Sequence, residues 1–183
     1  FMMHKWLRWC GVTMCWLCLA VPASAQTRQL PQTQLKSGLA FAGPQYVDSS
    51  GYAASGYDVV AYFELEQAPI GKGQPTAVRG NASYTAEYNG AKWAFSNAEN
   101  RDRFLADPAK YAPQFDGHCA YGVTKGGKVP GNPNLWRIVD GKLYLNITKP
   151  VVGFWEEDVP GNIELAGTKW DGIEPKSASN KEI

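Results

Sequence analysis

The chain has 183 residues, with 18 Lys+Arg against 17 Asp+Glu for a net charge of +1, and 44% hydrophobic content. That balance excludes a nucleic-acid or polyanion binder, which carries a basic excess or stripe. The apolar share excludes wholesale disorder, and the length suits one domain with a sizeable core.

Residues 1–25 carry the three regions of a secretory signal. Lys5 and Arg8 form a charged start, Trp9 through Val21 an apolar run, and Ala23-Ser24-Ala25 a small-x-small cleavage site. The run is shorter than the roughly 20 apolar residues that span a bilayer. Phe1 is no initiator, so translation is expected to start at Met2 or Met3. Neither Cys15 nor Cys18 follows the small residue that a lipidated cysteine requires. The expectation is a periplasmic or secreted protein with no stable membrane insertion once the signal is removed.

Removal of that segment changes the inventory of ligands. Cys10, Cys15, Cys18, His4 and all three Met leave with it, so Cys119 is the one remaining thiol and His118 the one remaining imidazole. An exported chain with a single cysteine has no internal disulfide and depends on packing. Thioether coordination of copper is excluded.

Residues 26–50 hold five Gln and two Pro and read as a flexible leader; residues 171–183 read as a flexible polar tail. Between them, residues 51–170 form the folded domain. Ser83 to Tyr88 and Ala91 to Ser96 alternate around Asn89-Gly90, a strong hairpin signal. That register puts Tyr84, Ala86, Tyr88, Ala91, Trp93 and Phe95 on one face and sets Glu87 opposite Lys92. Ser96 as N-cap with Glu99 makes a capping box for a helix that carries Phe104 and ends at Asp107-Pro108.

The same grammar returns 51 residues later. Trp136 to Val139 and Lys142 to Ile147 flank Asp140-Gly141, with Trp136, Ile138, Leu143, Leu145 and Ile147 on one face. Thr148 is placed to cap a helix with Val151, Val152, Phe154 and Trp155, and a last helix runs from about Asn162 to Trp170. The pattern predicts an α+β fold of two ββα units, each burying a sheet face under its own helix. The segment Pro113 to Asn134 joins them, with five Gly, three Pro and no clear periodicity. Long loops of this kind often carry function.

The string Gly56-Tyr57-Asp58-Val59-Val60-Ala61-Tyr62-Phe63 resembles the start of a YHS domain. Tyr88-Asn89-Gly90, Trp93-Ala94-Phe95-Ser96 and Asn100 through Pro108 to Lys110-Tyr111 continue the likeness. Gly117-His118-Cys119-Ala120-Tyr121 and Trp136 through Asn146 look like exported bacterial proteins that contain this domain, itself related to the metal-associated TRASH type. In metal-linked members of that family, the resemblance implies cysteines at three positions that here hold Ala61, Ser96 and Asn100. Ala has no donor, and Ser and Asn bind copper or zinc poorly. The resemblance therefore implies the fold without that thiolate site.

His118-Cys119 is the remaining candidate centre. Both residue types bind transition metals, yet neighbours in sequence point apart on a strand and do not face each other on a helix. A closed site wants four ligands, so Asp58, Asp116, Tyr121 or a second chain would have to contribute. Three readings stand open. The first is binding of copper, iron or zinc through His118 and Cys119, with Asp58 as a further donor. The second is a metal-free structural or protein-interaction domain with Cys119 in the core, working as a monomer or weak dimer with a periplasmic protein partner. The third is a single-thiol redox protein activated by Lys125 and Lys128. No motif demands an enzyme. Gly122 to Val129 misses the P-loop pattern at its final residue, and Glu156-Glu157-Asp158 reads as solvated surface. Tyr57, Tyr62 and Tyr121 are placed to line a pocket near Asp58.

Overall fold

A computed structural model describes residues 45–177. The expected signal segment, the leader up to residue 44 and the tail from residue 178 lie outside the described residues. Strand β1 (Asn81–Tyr88) pairs antiparallel with β2 (Ala91–Phe95), followed by helices α1 (Ala98–Ala106) and α2 (Pro108–Tyr111). After the short helix α3 (Ala120–Thr124), β3 (Asn132–Val139) pairs antiparallel with β4 (Lys142–Asn146), followed by α4 (Lys149–Glu156) and α5 (Val159–Ile173). The fold is α+β, with two separate two-stranded sheets. Among the described residues no helix is long and apolar enough to cross a membrane.

Both hairpins turn where the sequence puts them. Asn89 and Gly90 have φ of 54° and 72°, and Asp140 and Gly141 have 49° and 72°, the two positive values that a tight hairpin loop requires. Glu87 sits opposite Lys92, as the two-residue loop dictates. Each hairpin then carries a register shift at the same place, between Asn81 and Thr85 and between Asn132 and Trp136.

The repeat extends further back than the hairpins. Each half opens on a left-handed turn, Ala54–Gly56 in one and Phe115–Gly117 in the other, with φ of 49°, 52° and 76° against 56°, 52° and 76°. Asp58 N–H donates to Val78 O at 2.8 Å, and Cys119 N–H to Val129 O at 2.9 Å. Gly80 N–H reaches Gly56 O, and Gly131 N–H reaches Gly117 O. Tyr57 bridges to Arg79 as His118 bridges to Pro130. Tyr57 and Asp58 are thus the counterparts of His118 and Cys119. The halves differ between these points: the first has the long loop 65–78, the second has α3.

The two halves also use their sheets differently. Trp93 and Phe95 pack under Phe104 of α1, as expected. In the second half the aliphatic face, with Trp136, Leu143 and Leu145, does not lie under α4; it joins the first half's residues in one shared core. The helix covers the opposite face instead, where Tyr144 meets Trp155 and Ala120. The second hairpin is therefore buried on both sides, which a single alternating stripe cannot announce.

The packed region is wider than residues 51–170. Gln45, Tyr46 and Val47 are buried, and Tyr46 N–H donates to Asp116 O at 2.8 Å. Helix α5 starts at Val159 and runs to Ile173, which is buried with Val123 and Ala166. The cap of α1 is Asn97, one residue past the expected Ser96, and it accepts from Asn100 N–H. Thr148 is the cap residue of α4 but makes no side-chain cap bond.

Gly80 is required by close approach, since a Cβ there would lie 2.5 Å from the backbone carbon of Ala94. Gly80→Ala is expected to cost about 2 kcal/mol or more in urea unfolding, because backbone cannot yield as a side-chain tip can. Gly153 lies exposed inside α4 with nothing within 4 Å, so Gly153→Ala is expected to gain up to about 1 kcal/mol.

Candidate functional site

Asp58 ties three segments of the first half together. It lies fully buried after the left-handed turn. Its Oδ1 accepts from the N–H groups of Val60 (3.0 Å) and Ala61 (3.3 Å). Its Oδ2 accepts from Ser96 N–H (2.8 Å), the Ser96 hydroxyl (2.6 Å) and Asn100 Nδ2 (2.8 Å). Ser96 at the end of β2 and Asn100 in the first turn of α1 thus converge on one carboxylate. Five hydrogen bonds leave Asp58 no spare lone pair with which to bind a metal.

Cys119 plays the corresponding part in the second half. Its sulfur is fully buried, accepts from Gly122 N–H at 3.3 Å and donates to Asn146 Oδ1 at 3.5 Å. Burial pushes the thiol pKa up, an effect only partly offset by the backbone N–H groups of Gly122, Ile147 and Tyr121. A thiol so placed resists forming the thiolate that redox chemistry and metal binding need. Lys125 and Lys128 do not assist it. The first lies over the Tyr121 ring, and the second donates to Glu174 O at 2.6 Å.

His118 is also fully buried, between Tyr46 (ring centroids 5.6 Å) and Trp170 (6.2 Å). Its Nδ1 lies 2.8 Å from Phe115 O. A carbonyl only accepts, so Nδ1 carries the proton and Nε2 presents a lone pair with no hydrogen-bond partner among the described residues. Burial lowers its pKa to about 4, with the charge of Lys128 acting in the same direction. Asp116 Oδ2 is a second buried atom without a hydrogen-bond partner among the described residues, while its Oδ1 accepts from Asn89 Nδ2 at 3.2 Å.

Asp58 does not join His118 and Cys119 in one donor group. Asp58 and Cys119 hold matching places in different halves and share no hydrogen-bond partner. Among the described residues no group of three or more His, Cys, Asp or Glu side chains gathers where a metal ion would be held. The donor set does not fit a closed transition-metal site.

Other expectations resolve differently. Glu156 is not solvated surface: its Oε1 accepts from Arg137 Nη2 at 2.5 Å and Nε at 3.1 Å, and both side chains are under a tenth exposed. Asp158 caps α5 by accepting from Gly161 N–H. Tyr62 belongs to the core and donates to Pro133 O at 2.7 Å. Tyr121 stacks on Phe154. Tyr57 does line a pocket, an open cleft of about 430 Å³ together with Tyr46, Asp48, Arg79, Asn132 and Asn134. Arg79 and Tyr46 carry no motif that marks them in sequence. Only the repeated backbone path, which sets Tyr57 against His118, draws attention to this place.

Asp58→Ala strands at least four donors in the interior and is expected to cost 3 kcal/mol or more, on the order of a broken buried network, with loss of the folded NMR spectrum at moderate temperature. For His118 the unfolded ring takes a proton near pH 6.5 while the buried ring resists until about 4. Stability is therefore complete above pH 6.5 and declines as pH falls toward 4. Wild type should lose roughly 3 kcal/mol more than His118→Gln over that window, read from urea midpoints. Comparison of the chain with protein-family models, curated proteins and solved structures finds no match in any of the three.

Proposed function

We propose that this chain is an exported, metal-free binding or interaction module of the YHS type, and not an enzyme. The observation that carries the reading is the use already made of its chemical groups. The five bonds to Asp58 and the buried, hydrogen-bonded sulfur of Cys119 serve the fold. Export is supported by the charged start, apolar run and cleavage pattern of residues 1–25. The YHS assignment is supported by the strings around Asp58, Ser96 and Asn100, and by their convergence in space.

A second reading, transition-metal binding at His118, is favoured by one specific feature. Its Nδ1–H is held by a backbone carbonyl and its Nε2 is open, an arrangement common to metal-ligating histidines. Among the described residues no group of three such donors gathers there.

Thiol labelling and elemental analysis decide among the readings. The module reading expects Cys119 to react with a disulfide reagent only slowly in the native state and fully in denaturant. It also expects no stoichiometric copper, zinc or iron after exposure and dialysis. Stoichiometric metal that is lost in His118→Ala would establish the second reading, and rapid labelling at mildly acidic pH would establish a redox thiol.

A further inference from the structure

We propose that the cleft beside Tyr57 binds a small hydroxycarboxylate, with Arg79 as the anchor of its carboxylate. This rests on the reading of the chain as a binding module and names the ligand class. The cleft lies where the two repeats meet: Tyr57 and Arg79 come from the first, Asn132 and Asn134 from the start of β3 in the second, and Asp48 from the segment that precedes them.

Arg79 is the first observation. Among the described residues, Arg101, Arg103 and Arg137 each pair with a carboxylate, and Arg79 does not. Its guanidinium is instead held 4.1 Å from the Tyr57 ring centroid, with a single long bond from Nη1 to Ser55 O at 3.4 Å. The ring contact restrains an exposed side chain, and the other N–H groups of the fork make no hydrogen bond among the described residues. That is the presentation that suits bidentate capture of a carboxylate.

Tyr57 supplies the second. Asn134 Oδ1 accepts from Ala77 N–H at 2.9 Å, so the orientation of that amide is set, and its Nδ2 donates to the Tyr57 hydroxyl at 3.2 Å. The hydroxyl is thus an acceptor, and among the described residues nothing accepts its own proton. A guanidinium edge and a hydroxyl proton at one cleft ask for an acceptor with two oxygens.

Asp48 narrows the class. Its Oδ1 accepts from the N–H and hydroxyl of Ser50, and its other oxygen accepts no bond among the described residues. A carboxylate in the same cleft repels a phosphate dianion yet accepts from a hydroxyl next to a singly charged carboxylate. The second repeat offers no duplicate of the site. There Pro130 replaces Arg79, and the ring of His118 is enclosed by Tyr46 and Trp170.

The test is an NMR titration of the ¹⁵N-labelled protein with glycolate, with inorganic phosphate and sodium chloride as separate arms at matched ionic strength. Glycolate is expected to give saturable shifts at the amides of Tyr57, Arg79, Asn132 and Asn134. Arg79→Lys, which keeps the cation over the ring but loses the fork, should weaken glycolate at least tenfold. Tyr57→Phe should weaken it severalfold with an otherwise unchanged spectrum. The proposal is overturned by absence of saturable glycolate shifts, by equal shifts with chloride, by tighter binding of phosphate, or by unchanged affinity in Arg79→Lys. Failure here, with slow thiol labelling and no bound metal, removes the cleft ligand alone. Metal uptake or a fast thiol removes the module reading whatever glycolate does.

Discussion

The carboxylate of Asp58 is the constraint around which the first half is organised. A buried charge is tolerable only when each lone pair finds a donor, and here the donors come from the turn that follows it, the end of β2 and the first turn of α1. Three segments far apart in sequence must therefore meet at one point. In the second half the same backbone path is closed by a sulfur, a far weaker acceptor. The compensation there is apolar: the second hairpin is buried on both faces and α5 is much longer than α2. One half is organised by a charge and the other by burial.

This division explains what the sequence made legible. The hairpins were readable because two-residue loops with positive φ have a strong local signature and because alternation fixes the face. The α1 cap was misplaced by one residue because the Ser96 hydroxyl is drawn to Asp58, a partner 38 positions away that local rules do not see. Helix α3 was hidden because five residues, two of them small, cannot show helical period. Tyr46 was hidden by its Gln-rich surroundings, although its backbone ties to Asp116 O.

The candidate site was legible by residue and not by arrangement. His118, Cys119 and Asp58 stand out in the sequence as candidate metal ligands, and all three are fully buried. Scarcity of a residue type says which groups could do chemistry; it does not say that they meet. The hairpins repeat at a spacing that sets Asp58 against Ala109, so the match of Asp58 with Cys119 is carried by the backbone path alone, and equivalent places in two halves are ordinarily separate.

The long loop of the first half has a consequence for solubility. Between residues 65 and 78 it runs along β3, where Gln67 brackets the backbone of Ile138, Arg137 donates to Ala68 O and Pro69 O, and Trp136 Nε1 donates to Pro75 O. A two-stranded ribbon has nothing but edges, and an edge with free amides and carbonyls is a template for another chain. The Gln67 side chain occupies that template at Ile138, and the side chains of Trp136 and Arg137 hold the loop in place. Cut by a protease within those residues, the ribbon would be free to recruit its neighbours, and aggregation would begin at Ile138 before the core had loosened.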